Sequence, residues 1–284
     1  MPAKFGPGGN SEDFSSKYKS TLDAPRYVKE MGLDHYEYEC GRGVKVSDAH
    51  AQAMLRNAKE HGISLSLHAP YFISLSSVEE DKRQNSIRYI IESCDAAKRM
   101  GADRIVIHSG SCGKIAREEA LELAKETLVQ ARKAAIEQGY ESIAFCPETM
   151  GKVNQLGNLF EVMELCRLDD SFIPCIDFGH LNAREFGFIK GRTEYEKILD
   201  EMESAIGHDR LSVFHSHFSK IMFTVPGGEK KHLTFDENEG FGPDFEPLME
   251  IIAKKNLSPV FVCESAGTQA KDALTMKNYY LSVR

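Results

Sequence analysis

A chain of 284 residues, 42% hydrophobic and 27% charged, is long enough to bury a sizeable core and has the composition of a globular protein. Its longest apolar runs, such as PVFVC at 259–263, are too short to cross a bilayer, so no membrane partner is expected. The net charge of −8, from 35 basic and 43 acidic side chains, argues against a broad basic surface for nucleic acid. Ions in an acidic pocket would supply positive charge that a residue count omits.

The opening MPAKFGPGGN has no apolar signal segment, and the seven cysteines form no CxxC pair. Both features lead us to expect a cytoplasmic protein with free thiols serving as small hydrophobes. Apolar runs at 3–6, 35–40, 64–70, 104–110, 142–148, 173–177, 211–217 and 259–265 predict strands. Between them, 47–61 opens on Ser47 as an N-cap and closes at Gly62. Residues 80–100 carry Ile87, Ile90, Ile91 and Cys94 at helical spacing before Gly101, and 117–138 run to Gly139. Further helices are expected at 157–167, 193–206, 243–255 and 268–281. Strand and helix alternating from end to end predict an α/β fold, a single (βα)8 TIM barrel spanning 1–284 as one domain. A doubly wound sheet is the rival, but FGPGG at 5–9 lacks the GxGxxG spacing. The least regular stretches, 178–192 and 219–242, both follow strands and so belong on the catalytic face.

Barrel chemistry sits at the C-terminal strand ends. His68 ends the third run, His108 the fourth, Glu148 the fifth and Asp177 the sixth; His215 and His217 lie on the seventh, and Glu264 closes the eighth. One such residue alone is more often a core hydrogen-bonding group or a helix cap. Such residues on six consecutive strands, converging on one mouth, would repel or stay unsatisfied without a cation. Imidazole and carboxylate without thiolate suit Zn, Mn or Fe, and the surplus of ligands implies two or three ions. Such clusters typically clamp a phosphodiester during in-line attack.

The pieces LHAPY (67–71), IVIHSG (105–110), CPETMGK (146–152), CIDFGH (175–180), HSHFSK (215–220), the segment around His232, NEGFGP (238–243) and FVCES (261–265) resemble endonuclease IV, the zinc-dependent apurinic/apyrimidinic endonuclease family, over nearly the whole chain. The resemblance implies a cluster of two or three Zn2+, with Mn2+ as an alternative. His68 and His108 would hold the first ion, and Glu148 would bridge it to a second completed by Asp177, His215 and Glu264. His180 and His232 would hold a third. It further implies a monomer that cuts double-stranded DNA 5′ to an abasic site, with Glu148 and Glu264 as the catalytic carboxylates. Tyr71 matches an aromatic turned against the damaged strand, and Arg42 and Lys220 would contact the DNA, with Lys230 and Lys231 as further phosphate contacts.

The chain also departs from the family. Lys230-Lys231-His232 stands where the family has Asp-x-His, which predicts a weakly held third ion unless Glu229, Asp236 or Glu239 substitutes. The family's HLND-type segment reads His215-Ser216-His217-Phe218, and its intercalating Arg loop is reduced to Gly41-Arg42-Gly43. Sugar isomerases and ketose epimerases of the same barrel superfamily offer a second reading, with one Mn or Co ion on Glu148, Asp177, His215 and Glu264. There the two glutamates would exchange protons beside a carbonyl, and His68, His108, His180 and His232 would have no duty. A metal-stabilised binding protein without turnover is a third.

Overall fold

The computed structural model describes residues 2–237 and 239–284; Asn238, in the NEGFGP segment, and Met1 lie outside the described residues. The predicted strand runs form one parallel sheet: β1 (Lys4–Pro7), β2 (His35–Glu39), β3 (Ser64–His68), β4 (Arg104–His108), β5 (Ala144–Glu148), β6 (Cys175–Asp177) and β7 (His215–Phe218). An antiparallel hairpin, β8 (Lys220–Thr224) and β9 (Gly228–Leu233), precedes the last barrel strand, β10 (Val260–Cys263). The sheet order is β1-β10-β7-β6-β5-β4-β3-β2. Its two ends meet at a parallel bridge between Gly8 and Glu37, flanked by hydrogen bonds from Asp34 N–H to the Phe5 carbonyl (2.9 Å) and from Gly9 N–H to the Glu37 carbonyl (3.0 Å). Gly6 permits that closure, because a Cβ there would lie 1.8 Å from the His35 carbonyl oxygen. The sheet thus closes on itself as the expected (βα)8 barrel.

The helices are α1 (Glu12–Lys17), α2 (Ala24–Glu30), α3 (Asp48–His61), α4 (Glu80–Met100), α5 (Arg117–Glu137), α6 (Leu159–Cys166), α7 (Phe178–Arg184), α8 (Arg192–Leu211), α9 (Glu246–Lys255) and α10 (Gln269–Val283). Ser47 Oγ accepts from the His50 N–H at the start of α3, and Gly62 ends it in the left-handed conformation (φ 67°), as the sequence predicts. Helices α1 and α2, together with α7 and the hairpin, are not among the predicted elements. Helix α7 begins where the Asp177 carboxylate accepts from the His180 N–H, a cap that also reads as a strand-end ligand. Strand β9 reads GEKKHL, whose polar face stays at the surface.

Apolar packing lies mainly between strands and helices. Phe5 stacks on Phe261 (centroids 5.4 Å apart) and meets Tyr280 of α10, and Phe145 stacks on Phe172 (5.3 Å). Inside the barrel the apolar share is small: Val106, Cys146 and Cys175 form a separate cluster. All seven cysteines are buried and unpaired. Among the described residues, no helix is long and apolar enough to cross a membrane.

Candidate metal centre

Inward-facing side chains of adjacent strands meet at matched heights set by the parallel register. His108 pairs with Glu148 across β4 and β5, and Asp177 pairs with His217 across β6 and β7. Glu264 follows β10 directly. Four of the predicted residues therefore end their strands at the C-terminal rim: His68, His108, Glu148 and Asp177. The cavity above them, of about 420 Å3, is lined by His68, His108, Glu148, His180, His232 and Glu264, together with Tyr71, Lys152 and Glu229.

Several groupings among the described residues share this space, three of which use the predicted residues. Glu148 Oε2 lies 3.4 Å from His68 Nε2 and 3.3 Å from His108 Nε2. Two ligands each about 2.0 Å from one tetrahedral ion stand about 3.3 Å apart, so this spacing suits a shared cation. Next to it, Glu148, Asp177, His217 and Glu264 offer atoms within 4.8 Å of one another. His180, Glu229 and His232 form the third, with His180 Nε2 3.5 Å and His232 Nε2 3.8 Å from the Glu229 carboxylate.

The imidazoles are oriented by their other nitrogens. His68 Nδ1–H donates to the Ala69 carbonyl (2.7 Å) and His180 Nδ1–H to that of Thr149 (2.9 Å), while His232 Nδ1 bonds Ser219 Oγ (2.9 Å). His108 bonds the Tyr71 backbone. The Nε2 atoms of these four face the carboxylates, the arrangement that outer hydrogen bonds give metal-binding histidines.

Protonation follows from the crowding. Burial opposes charging His68, but the nearby Glu39 and Glu148 raise it to about 10. Burial likewise opposes charging His180, and Asp177 and Glu148 raise it to about 10. His108 goes the other way, to about 4, because burial is reinforced by the neighbouring His68 and His180 rings. Burial works against ionised Glu148, yet His217, His180 and His68 hold its carboxyl well below the usual range.

The donor set fits divalent cations. Glu148 Oε2 and Asp177 Oδ2 are buried oxygens without a hydrogen-bond partner among the described residues. Two unsatisfied carboxylate oxygens surrounded by oriented imidazoles are what a bound ion would complete.

One predicted ligand is misplaced. His217, not His215, stands level with Asp177; its Nδ1 is 3.0 Å from Glu148 Oε1 and 3.4 Å from Glu264 Oε1. His215 pairs with Cys175 one layer deeper, fully buried, with Nε2 2.9 Å from Glu37 Oε2. Both histidines point inward, two residues apart, so only the register separates them. At the third position Glu229, one of the three carboxylates considered in place of the missing Asp, lies beside His180 and His232, while Lys230 and Lys231 are exposed.

Tyr71 stands at the rim, 52% exposed. Arg42 and Lys220 are not brought to the cavity. Arg42 is exposed on the turn after β2, and Lys220 lines a neighbouring cavity of about 450 Å3, 3.4 Å from Asp244. Sequence reasoning missed Glu37, Glu39 and Lys152. The alternation of HYEYE does put His35, Glu37 and Glu39 on the inward face of β2, a signal readable without a structure.

The sequence matches the xylose isomerase-like TIM barrel family over residues 25–278. It is 30% identical over 254 residues to an uncharacterized protein, MJ0133, of Methanocaldococcus jannaschii, covering 89% of each chain. It is 28% identical over 173 residues to a probable endonuclease 4 of Thermoplasma volcanium, covering 60% of this chain and 58% of that protein. The fold is similar to that of endonuclease IV from Thermus thermophilus (TM-score 0.72, 17% identity, 98% of this chain and 99% of that one). It is equally similar to a D-tagatose 3-epimerase-like protein (TM-score 0.74, 17% identity, 99% and 97%). Matched over nine-tenths of its length, the chain belongs to the xylose isomerase-like TIM barrel family.

Proposed function

We propose that this protein is a divalent-metal phosphodiesterase of the endonuclease IV type, incising double-stranded DNA 5′ to an abasic site as a monomer. The observation that carries the reading is the ligand surplus. His68 and His108 converge on Glu148 Oε2, and His180, Glu229 and His232 converge on one another, in addition to the Glu148–Asp177–His217–Glu264 set. One ion accepts four to six such ligands, so this number suits two or three, with zinc favoured by the nitrogen share.

Divalent ions in such a centre polarise phosphoryl oxygens and bring a water to a reactive pKa near neutrality. Glu148, whose two oxygens face different imidazoles, would help hold an ion on either side. Asp177 and Glu264 keep the negative charge of the pocket high, so the site depends on its cations to accept a phosphate. Tyr71, half exposed at the rim, can stack against an unpaired base or the bared sugar. Lys152, also lining the cavity, can meet a phosphate oxygen. The abasic nucleotide must leave the stack to reach this depth, and the missing base lowers that cost.

The second reading, a mononuclear ketose epimerase or sugar isomerase, is favoured by the compact Glu148–Asp177–His217–Glu264 group taken alone. Zinc-reconstituted protein should nick a duplex carrying one abasic site and leave the undamaged duplex whole. An intact abasic duplex, with epimerised ketose in the presence of Mn2+, would replace the first reading by the second.

A further inference from the structure

Below the metal centre a chain of polar side chains runs from His217 into the barrel interior. His35 Nε2 lies 2.8 Å from Ser66 Oγ, and Ser66 donates to Glu37 Oε2 (2.6 Å). Glu37 Oε1 accepts from His217 Nε2 (2.7 Å), and His217 Nδ1 faces Glu148 Oε1 at 3.0 Å. His215 Nε2 also lies 2.9 Å from Glu37 Oε2. Glu37, Ser66, His215 and His217 are fully buried. The chain joins β2 to β7 across the barrel, 180 residues apart in sequence.

A buried carboxylate is a costly way to fill a core, and apolar residues of similar volume usually stabilise as well or better. Glu37 is therefore informative about what its neighbours need. A carboxylate only accepts hydrogen bonds, so Glu37 requires a proton on His217 Nε2. With Nε2 committed to Glu37, Nδ1 is the nitrogen left to exchange its Glu148-facing proton for a cation shared with Glu148, Asp177 and Glu264. The alternative tautomer would set two acceptors, Nε2 and the carboxylate, 2.7 Å apart in a dry interior.

We infer that Glu37 is a positioning residue that fixes the tautomer of His217, keeping Nε2 protonated and presenting Nδ1 to the metal centre. This rests on the reading of His217 as a ligand. The interaction is the carboxylate–histidine–metal relay whose loss typically weakens a metal site about 10- to 100-fold. Glu37→Gln keeps the volume but removes the charge and replaces one acceptor oxygen by an NH2, which must face either His217 Nε2 or the Ser66 hydroxyl.

The test is zinc affinity, resolved into its separate sites by competition with a chelator, for wild type and E37Q. We expect E37Q to lose about 10- to 100-fold at the site that uses His217 and to keep wild-type affinity at His180, Glu229 and His232. Unchanged affinity at both sites, or an equal loss at both, would overturn the inference. If E37Q does not fold, wild-type zinc protein still decides: long-range proton–nitrogen spectra should show a hydrogen-bonded proton on His217 Nε2. Zinc on that nitrogen, or no proton there, would also overturn it. Wild-type protein that took up no zinc would overturn the metal reading itself, a result distinct from zinc uptake indifferent to E37Q.

Discussion

On their outward side the barrel strands carry Phe5, Phe145 and Phe261: Phe5 stacks on Phe261 and meets Tyr280 of α10, and Phe145 stacks on Phe172. On the inward side the same strands carry His35, Glu37, Ser66, Glu148, Asp177, His215 and His217, all buried. The outer layer removes large rings from water, about 1.5–3 kcal/mol for each fully buried side chain. The inner layer spends stability, since each buried charge costs more than an apolar substitute of its size. Comparing the two faces separates what holds the barrel closed from what it is closed around. It also implies that substitutions on the two faces should fail differently.

The largest effect should come from the inner face. Glu148→Gln removes the carboxylate whose oxygens face His68, His108, His180 and His217. Incision should fall by on the order of 10³-fold or more, because each ion supplies several kcal/mol of charge stabilisation. The variant should still fold, as circular dichroism would record, while elemental analysis shows the loss of metal. Full activity with full metal content would exclude a bridging role.

On the outer face, Phe145→Ala should cost about 3–5 kcal/mol of stability in urea unfolding. Its metal content, measured well below the unfolding midpoint, should match that of wild type. Metal loss in the folded variant would erase the distinction between the faces.

The faces should also differ in their dependence on pH. His68 and His180 are raised to about 10 by their carboxylates. A raised histidine stabilises the fold fully below its unfolded value, and that stability is lost as pH climbs through the folded value. Chelated protein should therefore weaken between about pH 6.5 and 10. Metal uptake should tighten over the same range, because ions displace those protons. Free zinc at about 100 times its Kd would add about 2.7 kcal/mol. Thermal melts with and without chelator, and proton release on zinc addition, check both signs. The smallest effect is expected at Lys230→Ala, within about 0.5 kcal/mol and with the third ion retained, because Lys230 is exposed. Loss of that ion would restore the significance of the Lys in the Asp-x-His register.

Much of this contrast is legible in the sequence. Apolar runs that stop on His68, His108, Glu148 and Asp177 mark both the strands and the rim, because a strand's last inward residue faces the mouth. Three features resist reading for physical reasons. His215 and His217 share a face, and only the pairing of His217 with Asp177 decides which reaches the carboxylates. Glu229 reaches His180 through a hairpin whose register shifts at Met222 and Phe223, a bulge that the polar GEKKHL pattern does not reveal. Lys220 opens β8 just beyond β7, yet it lines the neighbouring cavity. Helices α1 and α2 are short, and burial of Phe14, Tyr27 and Val28 outweighs their weak periodicity.

The central claim is that the inner face assembles one polynuclear metal centre. Anomalous diffraction at the zinc absorption edge, from crystals grown with modest zinc, tests it most directly. The account predicts three peaks: one among His68, His108 and Glu148, one among Glu148, Asp177, His217 and Glu264, and one among His180, Glu229 and His232. A single peak in the second group, with none beside His68 and His108, would contradict it.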